Sequence, residues 1–350
     1  MSISLAVKYR PKTFDDVTEQ GAIRQILQWQ IENGEIKNAY LFTGGAGTGK
    51  TTTARIFANE INHGQGNPIE LDAASNNSVD DVRNISQQAK LQALDSEYKI
   101  FILDEVHALS SSAWQAMLKI LEEPPTKSIF IMCTTNPEKI PKTILSRVQR
   151  YDFQRISQKG IVDRLQTILY MEKCLLCGGD PAEVGDPPDY DYSDEALEYI
   201  AKIADGGMRD AITMLDKCLA YSNELTLENV VAAIGATDYD SMIRLTKHLF
   251  AKNVQDMLGV LDSIHSSGKD LRLFVKDYLG FVLDLCKYGI TGSFEFIKIP
   301  AFYKADLEAF AKHSSECNVL LNLLIDLNGK LRYESNSKML IEAYLYKFCI

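Results

Sequence analysis

Residues 44–51 read Gly-Gly-Ala-Gly-Thr-Gly-Lys-Thr, a G-x-x-x-x-G-K-T loop. Glycines at that spacing let backbone N–H groups converge on phosphate oxygens with no Cβ in the way, and the helix that follows offers its positive dipole end. Lys50 is expected to reach the β- and γ-phosphates and Thr51 a magnesium ion, with Gly45, Ala46, Gly47, Thr48, Gly49 and Thr52 completing the cradle. A second pair of reactive groups, Asp104-Glu105, closes the apolar run Lys99–Leu103. Asp104 is expected to hold the metal, and Glu105 to orient or deprotonate the attacking water. Together the two motifs point to Mg²⁺-dependent ATP hydrolysis.

Both motifs need strands that end at one edge of a sheet. Over roughly the first 155 residues the pattern alternates strand and helix, as in a doubly wound domain. The expected strands are Ala39–Thr43, Pro68–Leu71, Lys99–Leu103, Ser128–Cys133 and Gln149–Phe153. Between the third and fourth, Trp114, Met117, Leu118 and Leu121 recur at helical spacing until Pro124-Pro125 stops them. After Phe153 the pattern turns helical. An acidic stretch rich in Pro and Gly, 178–192, reads as a solvated loop, and helices resume at Ser193-Asp-Glu-Ala, an N-cap followed by acids. Beyond Gly235, Val254, Met257, Leu258 and Leu261 form one apolar stripe. Leu271, Phe274, Val275, Tyr278, Leu279 and Val282 form another, the mark of a helical bundle.

With 350 residues and 46% hydrophobic content, the chain has material for two or three ordinary cores. No apolar run approaches ~20 residues and the N-terminus lacks signal-peptide architecture, so a cytoplasmic, non-membrane location is expected. The seven cysteines are scattered, which fits reduced thiols. Only Cys174 and Cys177 have metal-ligand spacing, and no second pair stands near them. A net charge of −10 argues against a surface that coats nucleic acid throughout, while leaving room for local basic tracks at Lys8–Lys12 and between Lys139 and Arg155.

Eight segments then occur in order: Lys8–Val17 (Lys-Tyr-Arg-Pro-Lys-Thr-Phe-Asp-Asp-Val), the phosphate loop, Asp72–Asn77, Leu103–Ser110, Leu121–Pro125, Thr134–Lys139, Ile144–Arg147 and Gly206–Ala211. Together they resemble the AAA+ clamp-loader ATPases, in the branch of bacterial gamma/tau subunits and, next to it, the small subunits of replication factor C. The resemblance spans roughly 8–236. It implies an α/β P-loop AAA+ domain with a parallel five-stranded sheet (1–154), a small helical lid (155–236) and an all-α collar for oligomerisation (237–350).

By resemblance, Arg147 corresponds to an arginine finger reaching a neighbouring subunit's γ-phosphate, Thr135 to sensor 1, and Arg209 to the sensor-2 arginine. The adenine pocket is expected from Val7, Tyr9, Arg10, Pro11 and Val17. The implied partners are a sliding clamp, other loader subunits in a pentamer, and primer–template DNA held through its phosphates, with Arg83 as the foremost phosphate contact. The family's four-cysteine zinc module is replaced here by Asn62–Pro68, so zinc is not expected. Ser146-Arg147-Val148 departs from the usual Ser-Arg-Cys, leaving the arginine in place. The chain ends after the presumed collar, which suggests a minimal motor subunit, a phage or plasmid relative, or a shortened chain. Another AAA+ remodeller, such as a helicase loader or Holliday-junction motor, and a non-hydrolysing scaffold subunit remain as alternatives.

Overall fold

The computed structural model describes residues 3–91, 93, 95–176, 192–234, 239–268, 270–334 and 336–350, in two compact units, Met1–Asn229 and Val230–Ile350. The expected domain boundary at 236/237, Cys177 and the loop residues 178–191 lie outside the described residues.

The first unit opens with α1 (Leu5–Lys8) and α2 (Gly21–Glu32) and continues β1 (Ala39–Gly44), α3 (Lys50–Ile61), β2 (Ile69–Asp72), α4 (Val79–Ala89), β3 (Lys99–Asp104), α5 (Ser111–Glu122), β4 (Ser128–Thr134), α6 (Lys142–Leu145) and β5 (Gln149–Phe153). The five strands form one parallel sheet in the order β2-β3-β4-β1-β5. Strands β1, β3 and β4 lie in its interior with helices on both faces, so each reads as an unbroken apolar run. Successive side chains alternate between two cores. Leu41, Phe101, Leu103, Phe130 and Met132 face α4 and α5, whereas Tyr40, Phe42, Ile100, Ile102, Ile129 and Ile131 face α2 and α3. Phe101 and Phe130 are register partners whose rings stack 5.2 Å apart.

All five expected strands are present. Strand β2 begins at Ile69 rather than Pro68, because proline has no N–H to give to the ladder. Strands β1, β3 and β4 each run one residue further than expected, to Gly44, Asp104 and Thr134. In the sheet order, β1 is followed in sequence by a strand at the far edge, and β4 returns beside it. That switch leaves a crevice at the carboxyl ends of β3, β4 and β1, where α/β sheets bind ligands.

Among the described residues the unit continues with α7 (Gln158–Leu176), α8 (Asp194–Ala204) and α9 (Met208–Tyr221). Ser193 caps α8 as its sequence suggests, its Oγ accepting from Ala196 N at 3.2 Å. The crossing from sheet to helices is held from the N-terminal side. Gln20 donates through Nε2 to Gln154 O at 2.7 Å and accepts from Gln154 N at 3.2 Å, while the Glu19 carboxylate accepts from Ser157 N at 3.2 Å. Helix α10 (Leu227–Ile234) spans the division between the units.

The second unit is all-helical: α11 (Tyr239–Phe250), α12 (Val254–Ser266), α13 (Leu271–Thr291), α14 (Lys304–Ala311), α15 (Ser314–Lys330) and α16 (Ser337–Cys349). Met257 and Leu261 from one expected stripe, and Phe274, Val275, Tyr278 and Val282 from the other, lie in a single core. Tyr278 OH is satisfied inside it by Thr246 Oγ1 at 2.9 Å. Among the described residues, no helix is long and apolar enough to cross a membrane.

Phe130 is fully buried in the central strand β4. Phe130→Ala should therefore lower the unfolding free energy of the first unit by about 3–5 kcal/mol. Denaturant titration of the variant checks this.

Candidate functional site

Gly44 leaves β1 at φ 144°, where an added Cβ would stand 2.5 Å from Phe153 O, so the chain can turn at the sheet edge only with glycine there. Gly47 and Gly49 take positive φ values of 70° and 97°, and α3 starts directly after them. The loop is thereby bent around the N-terminus of a twelve-residue helix. Lys50 is 6% exposed, and its Nζ donates back to Gly45 O at 2.6 Å and Gly44 O at 3.0 Å. Burial lowers its pKa, while Cys133, Glu105 and Asp104 act in the opposite direction.

Across the crevice Thr51 Oγ1 donates to Asp104 Oδ2 at 2.7 Å. A hydroxyl and a carboxylate, side by side at the end of β3 and the start of α3, make a hard-oxygen donor set suited to Mg²⁺. Glu105 follows in left-handed backbone, φ 48°. A non-glycine residue pays roughly 1–3 kcal/mol for such a conformation, which is kept where its surroundings over-determine it. Here the Glu105 carboxylate accepts from Thr135 Oγ1 at 2.9 Å and Thr135 N at 3.3 Å.

The opposite wall comes from the N-terminal segment and the helices that follow the sheet. Tyr9, Arg10, Pro11 and Val17 line the cleft, facing Ile156, Arg164, Met208, Arg209 and Ile212. Arg10 has its pKa lowered first by burial and then by the like charges of Arg55 and Arg209, with Glu70 opposing. Three guanidinium groups thus share one region, a repulsion that a polyanion would relieve. The N-terminal segment is fastened to the helices at three places. Leu5 N donates to Asp216 Oδ2 at 3.3 Å, Lys8 pairs with Glu172 at 2.6 Å, and Arg164 Nη2 donates to Tyr9 O at 2.9 Å. The phosphate loop touches the same helices through its backbone, Met208 N donating to Gly47 O at 3.0 Å.

Of the residues singled out by sequence, the structure gathers Tyr9, Arg10, Pro11, Val17, Ala46, Gly47, Thr48, Gly49, Lys50, Thr51, Thr52, Asp104, Glu105, Thr135 and Arg209 into one cleft. Gly45 supports it from behind, accepting from Lys50 and from Thr48 Oγ1. Val7 is 57% exposed and lies outside this lining, where Ala6 stands instead. In the short helix α1, Leu5 points into the core, and the rotation of about 100° per residue turns Val7 outward. Arg147 is also outside its own chain's cleft. It donates to Glu122 Oε1 at 2.8 Å and to Thr143 O at 2.8 Å. Arg83 is exposed on α4 and paired with Asp80 at 2.9 Å.

Sequence reasoning missed Ala6, Thr18, Arg55, Ile156, Arg164, Met208 and Ile212. Met208 and Ile212 flank Arg209 at i and i+4 on one helix face, a signal that helical periodicity carries. Arg164 carried none, since its partner Tyr9 is 155 residues away.

Three family models match successive parts of the chain: DNA polymerase III, delta subunit, over residues 68–157; DNA polymerase III clamp loader subunit, ATPase lid domain, over 187–224; and DNA polymerase III subunits gamma and tau domain III, over 225–333. The chain is 34% identical to DNA polymerase III subunit tau of Bacillus subtilis, covering 97% of this chain and 62% of that protein. It is 30% identical to DNA polymerase III subunit gamma of Buchnera aphidicola, covering 97% and 96%. Against subunit tau of Escherichia coli it is 29% identical and covers 44% of that protein, so it spans about half the length of several relatives. Among solved structures, the Thermotoga maritima RuvB Holliday junction branch migration motor superposes with a TM-score of 0.51 at 17% identity, over 75% of this chain and 86% of that one. At that identity the likeness establishes the fold alone.

Gly47 is the position where loop and helices meet, since a Cβ there would lie 3.0 Å from Gly207 Cα. Gly47→Ala adds that clash to an unfavourable left-handed conformation costing about 1–2 kcal/mol. Affinity for a fluorescent ATP analogue should fall about tenfold or more. Equilibrium titration of the variant against the parent protein measures it.

Proposed function

Since the chain belongs to the gamma/tau family of DNA polymerase III clamp-loader subunits, we propose that it is an ATP-hydrolysing motor subunit that opens a ring-shaped sliding clamp and places it on primer–template DNA. The observation that carries this reading is the convergence of Lys50, Thr51, Asp104, Glu105 and Thr135 on one crevice, while Arg147 stands on a different surface of the same unit. A complete phosphate and water site paired with a distant arginine is what hydrolysis across a subunit boundary requires. On this reading residues 1–154 hold nucleotide, 155–236 close over it and 237–350 join subunits.

In this mechanism ATP sits with its phosphates against the amides of the loop and Lys50. Magnesium, held by Thr51 and Asp104, would supply positive charge at the phosphate oxygens. Glu105, steered by Thr135, accepts a proton from water as the water oxygen attacks the γ-phosphorus. The bond to the β–γ bridging oxygen breaks, giving ADP and inorganic phosphate. Arg209 brings a charge from α9, so the position of the helices depends on what the cleft contains. Arg147 would leave Glu122 to reach a neighbour's γ-phosphate, which makes the nucleotide a bridge between subunits and its hydrolysis a means of loosening them.

The remaining partners are other loader subunits in a pentamer, the clamp, and DNA through phosphate contacts that include Arg83. Phosphate contacts make DNA binding salt-sensitive and largely indifferent to sequence. A different remodeller would share the fold. The sequence identity to gamma and tau subunits, about twice that to RuvB, favours the loader.

Lys50→Ala should abolish ATP binding, whereas Glu105→Gln should keep binding and stall hydrolysis, because only the second spares the phosphate cradle. Nucleotide titration alongside phosphate release separates the two, and equal ATP affinity in Lys50→Ala and the parent would sink the assignment.

Arg147→Ala should bind ATP normally as an isolated subunit yet hydrolyse slowly once assembled, by ~10³-fold at the affected interfaces. Mixed with Glu105→Gln subunits it should regain activity wherever intact motif residues meet an intact Arg147. Assembled, ATP-bound mixtures that stay inactive would exclude action across the interface.

A further inference from the structure

We propose that His107 is a positioning residue that fixes the Glu105 carboxylate for its action on water, an inference that rests on the ATPase reading above. The geometry begins with a one-turn 3₁₀ helix, Val106–Ala108, closed by Ala108 N donating to Glu105 O at 2.9 Å. This turn brings His107 back toward the crevice, with Nδ1 3.1 Å from Glu105 Oε2. An ionised carboxylate can only accept hydrogen bonds, so an approach this close is attractive only with the proton on Nδ1.

The ring is itself held from the end of β4. Nδ1 also lies 3.1 Å from Thr134 Oγ1, and that oxygen accepts from Asn136 N at 3.0 Å. Neighbouring threonines therefore share the support of Glu105. Thr135 donates to it directly, and Thr134 holds the imidazole whose Nδ1 stands 3.1 Å from the same carboxylate. Both Thr135 bonds end on Oε2, and His107 Nδ1 lies beside that same oxygen. Anchoring one carboxylate oxygen leaves Oε1 to take a proton from a directed water, and it opposes rotation of a side chain that stands on left-handed backbone. Without His107, Glu105 keeps only its bonds to Thr135 and swings about them. Small misplacement of a catalytic group is enough to slow chemistry without weakening binding.

The test compares His107→Ala and His107→Asn with the parent and with Glu105→Gln, in the assembled, hydrolysing complex with Mg·ATP. Asparagine carries an amide nitrogen on Cγ, close to where Nδ1 sits. In the alanine variant kcat should fall about tenfold with ATP affinity within twofold of the parent, and asparagine should restore most of the loss. Combining His107→Ala with Glu105→Gln should cost little beyond Glu105→Gln alone, since His107 acts through that carboxylate. Parental kcat in the alanine variant, a matching loss of ATP affinity, or asparagine no better than alanine would overturn the inference and leave the ATPase reading standing. An intact assembly without ATP hydrolysis would remove both.

Discussion

A buried ammonium organises the first unit. Lys50 stands almost fully enclosed at the sheet edge, and a cation taken out of water must find partners on the spot or lose its charge. The loop answers by folding back, so that the carbonyls of Gly44 and Gly45 accept from Nζ, and that fold in turn demands residues without side chains at Gly44, Gly47 and Gly49. The acids at the end of β3 supply the counter-charge. Their position depends on β4 lying between β3 and β1, and so on the strand order as a whole. The carbonyls serve Lys50 in one geometry only. A phosphate oxygen offers it a stronger, charged acceptor, which gives the site a reason to prefer anions that does not depend on the arginines opposite.

Where the sequence was legible, the physics was local. Interior strands such as Ser128–Thr134 are buried along their whole length, so they read as apolar runs, and the phosphate loop announces itself because glycine alone tolerates its backbone. Leu121-Glu-Glu and Ile144-Leu-Ser-Arg147 stood out as separate motifs, and the structure joins them through the Arg147–Glu122 pair. What the sequence did not disclose is the far wall of the cleft. Arg164 and Ile156 reach it from elements remote in the chain, and their contacts leave no period or spacing behind. The outward turn of Val7 was not legible for a finer reason: a four-residue helix has too few positions for a stripe to declare which side faces in. His107 was visible within its motif, yet its part depends on Thr134, a residue supplied by another strand.

The electrostatics of the cleft are uneven in a way that bears on its chemistry. Carboxylates gather at the ends of β3, beside Thr51 and Thr135, whereas guanidinium groups gather on the side of α9 and the N-terminal segment. On the proposed reading, phosphate entering the cleft would meet cations along most of its length and acids only where metal and water are proposed to lie.

The fastening of the first residues to the later helices has a consequence for how the protein comes into being. Leu5, Lys8 and Tyr9 bond to Asp216, Glu172 and Arg164, far along the chain. A ribosome adding about 5–20 residues per second therefore separates the N-terminal segment from these long-range contacts by roughly 10–40 s, and the last strand of the sheet is made before any of them. During that interval a nucleotide would meet a cradle with one wall. On the proposed reading the cleft is complete only when α9 has emerged, and a nucleotide bound there would add its binding energy to the folded state. Cellular ATP would act on this chain as a late ligand of folding, ratifying the join between its beginning and its middle.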